Sequence, residues 1–150
     1  MTTVSNQQPH GPAPARPGAK QVLVLSVEDD ASDAALISEL VARRADVTLL
    51  SATHGGAGVK LARAHLPALI LMDMNLPGLS GMDALGFLRN DPNTAAIPII
   101  GLSSDAPRSA NSTRLCGFFG YLTKPFKFED FETMVDAALL HSAQRRQPAN

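Results

Sequence analysis

The sequence predicts an α/β domain with a doubly wound, five-stranded parallel sheet. From residue 21 to residue 141, short aliphatic runs of strand length alternate with segments in which apolar residues recur at helical spacing. Some of the strand-like runs are almost wholly apolar, which is typical of strands that helices cover on both faces. The aromatic share is 5% with no Trp, so aliphatic side chains must fill the core, as expected where helices pack on a sheet.

The first three predicted elements are a strand over 21–27, a helix over 31–44 and a strand over 47–52. The first strand is the aliphatic run QVLVLSV, which ends at consecutive acidic residues. The helix has Asp30 or Ser32 as its N-cap, and we interpret Asp30 and Asp33 as acids that cap it. The side chains expected to face the core recur at helical spacing: Leu36, Ile37, Leu40 and Val41.

The next three predicted elements are a helix over 55–65, a strand over 68–73 and a helix over 82–90. The sequence GGAG at 55–58 resembles a phosphate-binding loop. It lacks both the GxGxxG spacing and the GK[ST] sequence, so we interpret it as the start of the helix. The strand ALILMD is apolar until it ends at Asp73.

The remaining predicted elements are a strand over 97–102, a weak helix over 108–116, a strand over 118–123 and a helix over 127–141. The run IPIIGL is almost wholly apolar, as in a central parallel strand. The weak helix is dense in Ser, Asn and Thr, which compete with the helical backbone for hydrogen bonds. The last helix carries its apolar residues on one face: Phe128, Phe131, Val135 and Ala138.

The segments on either side of this region are expected to be flexible. Residues 1–20 are rich in Pro, Gly and polar side chains, which predicts a disordered leader, and 142–150 are expected to form a flexible tail. A secretory signal and long apolar runs are both absent, so we expect a cytoplasmic protein with no membrane insertion. The single cysteine, Cys116, excludes an internal disulfide and a CxxC site.

The charge distribution argues against nucleic acid as a direct ligand. The formal net charge is −1, but four of the thirteen basic residues lie in the two terminal segments. The remaining nine basic residues face fourteen acids, so residues 21–141 carry a charge of −5. An acidic body without a basic stripe is a poor surface for phosphate backbones.

Polar side chains follow the predicted strands at the edge where a doubly wound sheet binds its ligands. They are Glu28, Asp29, Asp30, Asp73, Ser103, Ser104, Thr123 and Lys124. Carboxylates gathered at one site repel one another unless a cation neutralises them, and Mg²⁺ suits a site with few carboxylates. Lys124 could then balance a phosphoryl group, with a serine hydroxyl as a further donor. Asp73 is therefore a candidate covalent nucleophile.

Four spaced segments resemble the response-regulator receiver domains of two-component signalling. They are VEDD at 27–30, LILMDMNLPGLSGMDAL at 69–85, IPIIGLSSDA at 97–106 and GYLTKPF at 120–126. The resemblance covers residues 21–141, and it implies a flavodoxin-like (βα)5 fold with strand order 2-1-3-4-5. It also implies a phosphoprotein that signals by protein–protein interaction.

The resemblance assigns a role to each candidate site residue. It makes Asp73 the phosphoacceptor, and it places Mg²⁺ or Mn²⁺ on Asp29, on Asp73 and on the backbone carbonyl of Asn75, with Glu28 binding through water. It makes Ser103 the switch hydroxyl, Tyr121 the aromatic residue that changes rotamer, and Lys124 the phosphoryl-binding base before a proline that is commonly cis. It places Asn75 and Asp105 beside the path of the hydrolytic water, where they tune the lifetime of the phosphorylated state.

The implied donor is a histidine kinase, with a histidine phosphotransferase or a downstream target as a further partner. Only SAQRRQPAN follows residue 141, so we expect a stand-alone receiver rather than an enzyme, with only self-catalysed phosphotransfer and autodephosphorylation. One alternative is a degenerate receiver that acts as a phosphorylation-independent interaction module. Another is a phosphatase of the haloacid-dehalogenase type, which needs a second Asp where this chain has Asn75.

Overall fold

A computed structural model describes residues 21–104 and 117–146. Its strands are β1 (Val22–Val27), β2 (Val47–Ala52), β3 (Leu69–Asp73), β4 (Ile99–Ser103) and β5 (Gly120–Thr123). The helices within the described ranges are α1 (Ala31–Ala42), α2 (Gly55–His65), α3 (Gly81–Arg89) and α4 (Phe128–Arg146). None of these helices is long and apolar enough to cross a bilayer. The predicted leader over 1–20 and the predicted weak helix over 108–116 lie outside the described residues.

The five strands form one parallel sheet in the order β2-β1-β3-β4-β5. This confirms the predicted fold class and strand order. β1 lies between β2 and β3, and β3 pairs in turn with β4. Because all five strands run in the same direction, their carboxyl ends meet at one edge, and the reversal of strand order lies beside β1 and β3.

Two apolar layers cover the sheet, one on each face. Alternate residues of β3 point to opposite sides, so Leu69 and Leu71 join the layer under α1 and α4, whereas Ile70 and Met72 join the layer under α2 and α3. All four of these side chains are fully buried. The sheet is therefore covered on both faces, which leaves its carboxyl edge as the place where polar side chains can gather.

Local sequence signals fix where two of the helices begin. The Asp30 side chain accepts hydrogen bonds from the backbone N–H groups of Ser32 and Asp33, so Asp30 is the N-cap of α1. Ser80 and Asp83 form a capping box at the start of α3. The first residue of α3 is Gly81, where a Cβ would lie 2.8 Å from the backbone oxygen of Asp73. Only glycine lets α3 begin this close to the end of β3.

Three details of the helices differ from the sequence-based prediction. Leu36 and Phe128 were both predicted to face the core. Leu36 is 36% exposed and Phe128 is 44% exposed, so this prediction is wrong for both side chains. The Phe128 ring instead lies under the guanidinium of Arg43, 4.9 Å away. The last helix ends at Arg146 and not at residue 141, so 142–146 is helical where a flexible tail was expected. Ser142 is buried in this extension, which gives the added turn a packed face.

The two phenylalanines of α4 provide a matched test of this packing. Phe131 is fully buried and stacks on Phe126, with the ring centroids 5.7 Å apart. We expect Phe131→Ala to lower the free energy of unfolding by about 3–5 kcal/mol, because it leaves a cavity in the core. Phe128→Ala removes an exposed ring from the same helix and should cost less than about 1 kcal/mol. Urea unfolding of both variants measures this, and equal losses would contradict the assigned packing.

Candidate functional site

The carboxyl edge of the sheet brings together side chains from four strands. Glu28 follows β1, Asp73 ends β3, Ser103 ends β4 and Lys124 follows β5. The backbone N–H of Lys124 donates to the backbone oxygen of Ser103 at 2.7 Å, which extends the β4–β5 pairing as far as the site. The predicted convergence of these side chains is therefore a property of strand order and strand length.

Three carboxylates form a compact cluster at this edge. One carboxylate oxygen from each of Glu28, Asp29 and Asp73 lies within 4.8 Å of the other two. Glu28 and Asp73 are each only 2% exposed, whereas Asp29 is exposed. Backbone donors hold two of the carboxylates: Asp73 Oδ1 accepts from the N–H of Asn75 at 3.0 Å, and Glu28 Oε2 accepts from the N–H of Asp30 at 3.2 Å.

Lys124 reaches into the same crevice and contacts three carboxylates. Its Nζ lies 3.0 Å from Glu28 Oε1 and 3.0 Å from Asp33 Oδ2. The distance from Nζ to Asp73 Oδ1 is longer, at 3.4 Å. The Lys124 side chain is 15% exposed, so these contacts lie in a largely water-excluded position. The prediction that Lys124 lies beside the acidic cluster agrees with these distances.

The contact with Asp33 was missed in the sequence analysis, which gave this residue a capping role only. Asp33 lies in the first turn of α1, where an acid is common because it complements the helix dipole. Capping therefore explains Asp33 without any site. Nothing in the local sequence reveals a partner 91 residues away, because the fold brings the first turn of α1 and the residue after β5 to the same edge of the sheet.

Burial dominates the electrostatics of the cluster. The pKa of Glu28 is raised from 4.5 to about 7. Loss of solvation is the largest cause and the neighbouring Asp73 carboxylate adds to it, while the hydrogen bond from Lys124 offsets only part of the rise. Burial lowers the pKa of Lys124, but its hydrogen bonds to Asp33 and Glu28 outweigh this effect and the net direction is upward. The ammonium is therefore kept charged while the carboxylates remain under-neutralised.

The cluster suits a hard divalent cation. Its donors are carboxylate oxygens, the ligands that Mg²⁺ prefers, and two of the three are buried with too little positive charge nearby. Four carboxyl groups lie in the crevice, those of Glu28, Asp29, Asp33 and Asp73. Within the described residues, the ammonium of Lys124 is the one cation that contacts them, and it contacts Glu28, Asp33 and Asp73. A divalent cation at the cluster would offset this imbalance.

The other predicted site residues lie around the cluster. Ser103 is 9% exposed at the end of β4, and the side chain of Asn75 is exposed in the loop after β3. Tyr121 of β5 is half-buried and meets Phe118 edge to face, with ring centroids 5.2 Å apart. Asp105 lies outside the described residues. The Lys124–Pro125 peptide bond is cis, as the resemblance implied.

A family model for the response regulator receiver domain matches residues 24–136. The chain belongs to the response regulator receiver domain family. It is accordingly a receiver domain of two-component signalling, a class of module that generally signals without being an enzyme. The match begins within β1 and ends within α4, and it includes every described residue of the crevice.

Curated relatives and solved structures agree with this assignment. The receiver domain is 32% identical to protein PilH of Pseudomonas aeruginosa over 117 residues, which cover 77% of this chain and 96% of PilH. It is 31% identical to the polar-differentiation response regulator DivK of Brucella anthropi, over 72% of this chain and 88% of DivK. In longer relatives it spans about half or less, including 53% of the cell cycle regulator CtrA of Caulobacter vibrioides.

One similar structure bears on the metal. The receiver domain of a sensor histidine kinase from Pseudomonas aeruginosa was solved with a magnesium ion coordinated in the active site cleft. It is 27% identical to this receiver domain, with a TM-score of 0.71, and the match covers 79% of this chain and 98% of that one. In this chain, Glu28, Asp29 and Asp73 form a group of carboxylates that could hold a metal ion.

The raised pKa of Glu28 predicts a pH dependence of stability in metal-free protein. The folded state binds the Glu28 proton more tightly than the unfolded chain does, so this group favours folding below about pH 4.5, and the contribution is lost as the pH rises through about 7. Glu28→Gln should remove this term. Urea unfolding in EDTA between those pH values should therefore show the variant gaining stability relative to wild type as the pH rises. A constant difference would mean that Glu28 titrates as an ordinary exposed acid.

Proposed function

We propose that this receiver domain accepts a phosphoryl group from a histidine kinase on Asp73, with Mg²⁺ or Mn²⁺, and passes the signal on by protein–protein contacts. The observation that carries the proposal is the position of Asp73. Its carboxylate is almost fully buried at the end of β3, within 4.8 Å of two other carboxylates and 3.4 Å from the Lys124 ammonium. A structural acid gains little from a position that crowds it with like charge.

The chemistry requires Asp73 to act as a nucleophile. A carboxylate oxygen of Asp73 forms a bond to the phosphorus of the donor phosphohistidine, and the P–N bond breaks with its electron pair passing to the imidazole nitrogen. The hydrogen bond from the Asn75 N–H to Asp73 Oδ1 orients the carboxylate for this attack. Lys124 is close enough to balance the negative charge of the product.

The residues that would hold the cation are Asp29, Asp73 and the backbone carbonyl of Asn75, with Glu28 acting through water. Bound there, the cation would neutralise the carboxylates and the phosphoryl oxygens. Excess EDTA should therefore abolish phosphorylation by acetyl phosphate, and added Mg²⁺ should restore it. Incorporation that is undiminished in EDTA would refute the metal requirement.

Substitution of Asp73 tests the phosphoacceptor directly. Asp73→Asn should abolish acid-labile phosphate incorporation from acetyl phosphate or from a kinase, because an amide is a poor nucleophile. The matched control is Asp46→Asn, which makes the same change at an exposed acid that precedes β2, at the opposite end of the strands from the site. Phos-tag electrophoresis follows both proteins. An Asp73→Asn protein that is still phosphorylated at wild-type level would disprove the assignment.

After phosphorylation, the proposed response passes through Ser103 and Tyr121. Ser103 is drawn toward the phosphoryl group and Tyr121 turns inward, which alters the surface that a partner meets. Gly101 lies beside this ring on β4, and a Cβ there would come within 3.3 Å of it, so the absence of a side chain leaves room for Tyr121. The proposed location of this receiver domain is the cytoplasm. Its proposed partners are a histidine kinase and a histidine phosphotransferase or downstream target, and nucleic acid is not proposed as a direct ligand.

Asn75 and Asp105 are the proposed determinants of the lifetime of the phosphorylated state. Asn75 has an exposed side chain two residues after Asp73, where it can hold a water molecule in line with the phosphoryl group. We expect Asn75→Leu to slow autodephosphorylation, because a bulky apolar side chain excludes that water. The measurement is the decay of phosphoprotein after removal of the donor. Decay at the wild-type rate would show that Asn75 does not control the water.

A further inference from the structure

Asp33 is a fourth carboxylate in the crevice, and it is separate from the cluster that fits a cation. It is held at the start of α1, where its backbone N–H donates to Asp30 Oδ1 at 3.0 Å and its charge complements the helix dipole. Its side chain is 33% exposed, compared with 4% for that of Asp73. Of the carboxylates that contact Lys124, Asp33 is therefore the most accessible to water.

The Lys124 ammonium has three N–H donors, and three carboxylates surround it. It donates hydrogen bonds to Glu28 Oε1 and to Asp33 Oδ2, both at 3.0 Å. Its 3.4 Å distance to Asp73 Oδ1 is that of a looser ion pair. The hydrogen bonds of the ammonium thus go to the residue after β1 and to the first turn of α1, whereas its contact with Asp73 is an ion pair without a hydrogen bond.

A phosphoryl group on Asp73 would add negative charge and oxygen acceptors beside this ammonium. Glu28 and Asp33 engage two of the three N–H donors of Lys124, so the ammonium can give the new oxygens a second hydrogen bond, or move closer to them, only if one of these two bonds is given up. The bond to Glu28 lies within the buried cluster, whereas the bond to Asp33 lies at its water-exposed margin. Releasing Asp33 leaves a carboxylate that water can solvate, so this is the bond that costs least to break.

We propose that Asp33 is a positioning residue that holds Lys124 in its unphosphorylated arrangement and competes with the phosphoryl group for the ammonium. Asp33 thereby weakens the binding of a phosphoryl group at Asp73. The inference rests on the proposed function, because it concerns the occupancy of the same site. It differs from the capping role in one respect, since a cap affects helix stability and has no reason to alter affinity for a phosphoryl group.

The test uses beryllofluoride with Mg²⁺, in which the beryllium and fluorine atoms stand for the phosphorus and oxygens of a phosphoryl group on Asp73. The chain has one tyrosine, Tyr121, and no Trp. Tyrosine fluorescence therefore comes from Tyr121 alone and can follow binding at the site. Isothermal titration calorimetry gives an independent half-saturating concentration. The proteins compared are wild type, Asp33→Asn and the control Glu39→Gln, which removes one charge from an exposed position of the same helix.

We expect Asp33→Asn to lower the half-saturating concentration by about three-fold, the size of effect that a partly exposed ion pair supports. Glu39→Gln should match wild type. An Asp33→Asn protein that binds as wild type does, or more weakly, overturns the inference. If wild type does not bind beryllofluoride, the proposed function fails and the inference fails with it. If wild type binds beryllofluoride but Asp33→Asn does not bind it more tightly, only the inference fails.

Ionic strength separates a contact from general repulsion between Asp33 and the incoming anion. Long-range repulsion between exposed charges is largely screened at about 0.5 M salt, whereas a partly buried contact is screened much less. The three-fold gain should therefore persist when the titrations at about 0.05 M salt are repeated at about 0.5 M. A gain confined to low salt would mean that Asp33 acts by its charge alone, which also overturns the positioning role.

Discussion

The properties of the candidate site depend on an imbalance of charge at the carboxyl edge of the sheet. Glu28 and Asp73 are both buried there, Asp29 adds a third carboxylate within 4.8 Å, and Lys124 is the cation that contacts them in the described part of the chain. Burying charged groups costs free energy, and loss of solvation, with a smaller contribution from the neighbouring Asp73 carboxylate, raises the pKa of Glu28. The same excess of negative charge would be offset by a divalent cation, and such a cation would also balance the phosphoryl group that we propose for Asp73.

The apolar sheet is what keeps this unfavourable arrangement in place. β1 and β3 are neighbours, so the residues at their ends, Glu28 and Asp73, must lie side by side. β4 and β5 follow in order, and the hydrogen bond from the Lys124 N–H to Ser103 carries the lysine to the same edge. Two apolar layers, one on each face of the sheet, provide the hydrophobic stabilisation that offsets the electrostatic cost at its edge.

The amino-acid sequence predicted most of this fold because local patterns dominate it. The bounds of β2 and α2 agree with the pattern-based bounds, and the other strands differ by one or two residues, since apolar runs in a covered parallel sheet are bounded by polar loops. Apolar periodicity was less reliable in predicting which residues at the margin of a helix face are buried. Leu36 and Phe128 fit the apolar stripe of their helices, but both side chains are exposed. The prediction failed because an apolar stripe does not show how far the neighbouring layer covers the helix.

The sequence alone determined which polar side chains follow the strands at the carboxyl edge of the sheet. The acids after β1 and β3 and the lysine after β5 follow from spacing, and the receiver resemblance implied the roles that we propose for Asp73, Ser103 and Lys124. Only the tertiary structure decided which carboxylates Lys124 contacts and which carboxylates are buried. The Asp33–Lys124 contact joins residues 91 positions apart, and the raised pKa of Glu28 comes from its burial. Neither is encoded locally, because solvation and contact distance depend on which elements the fold brings to the same edge of the sheet.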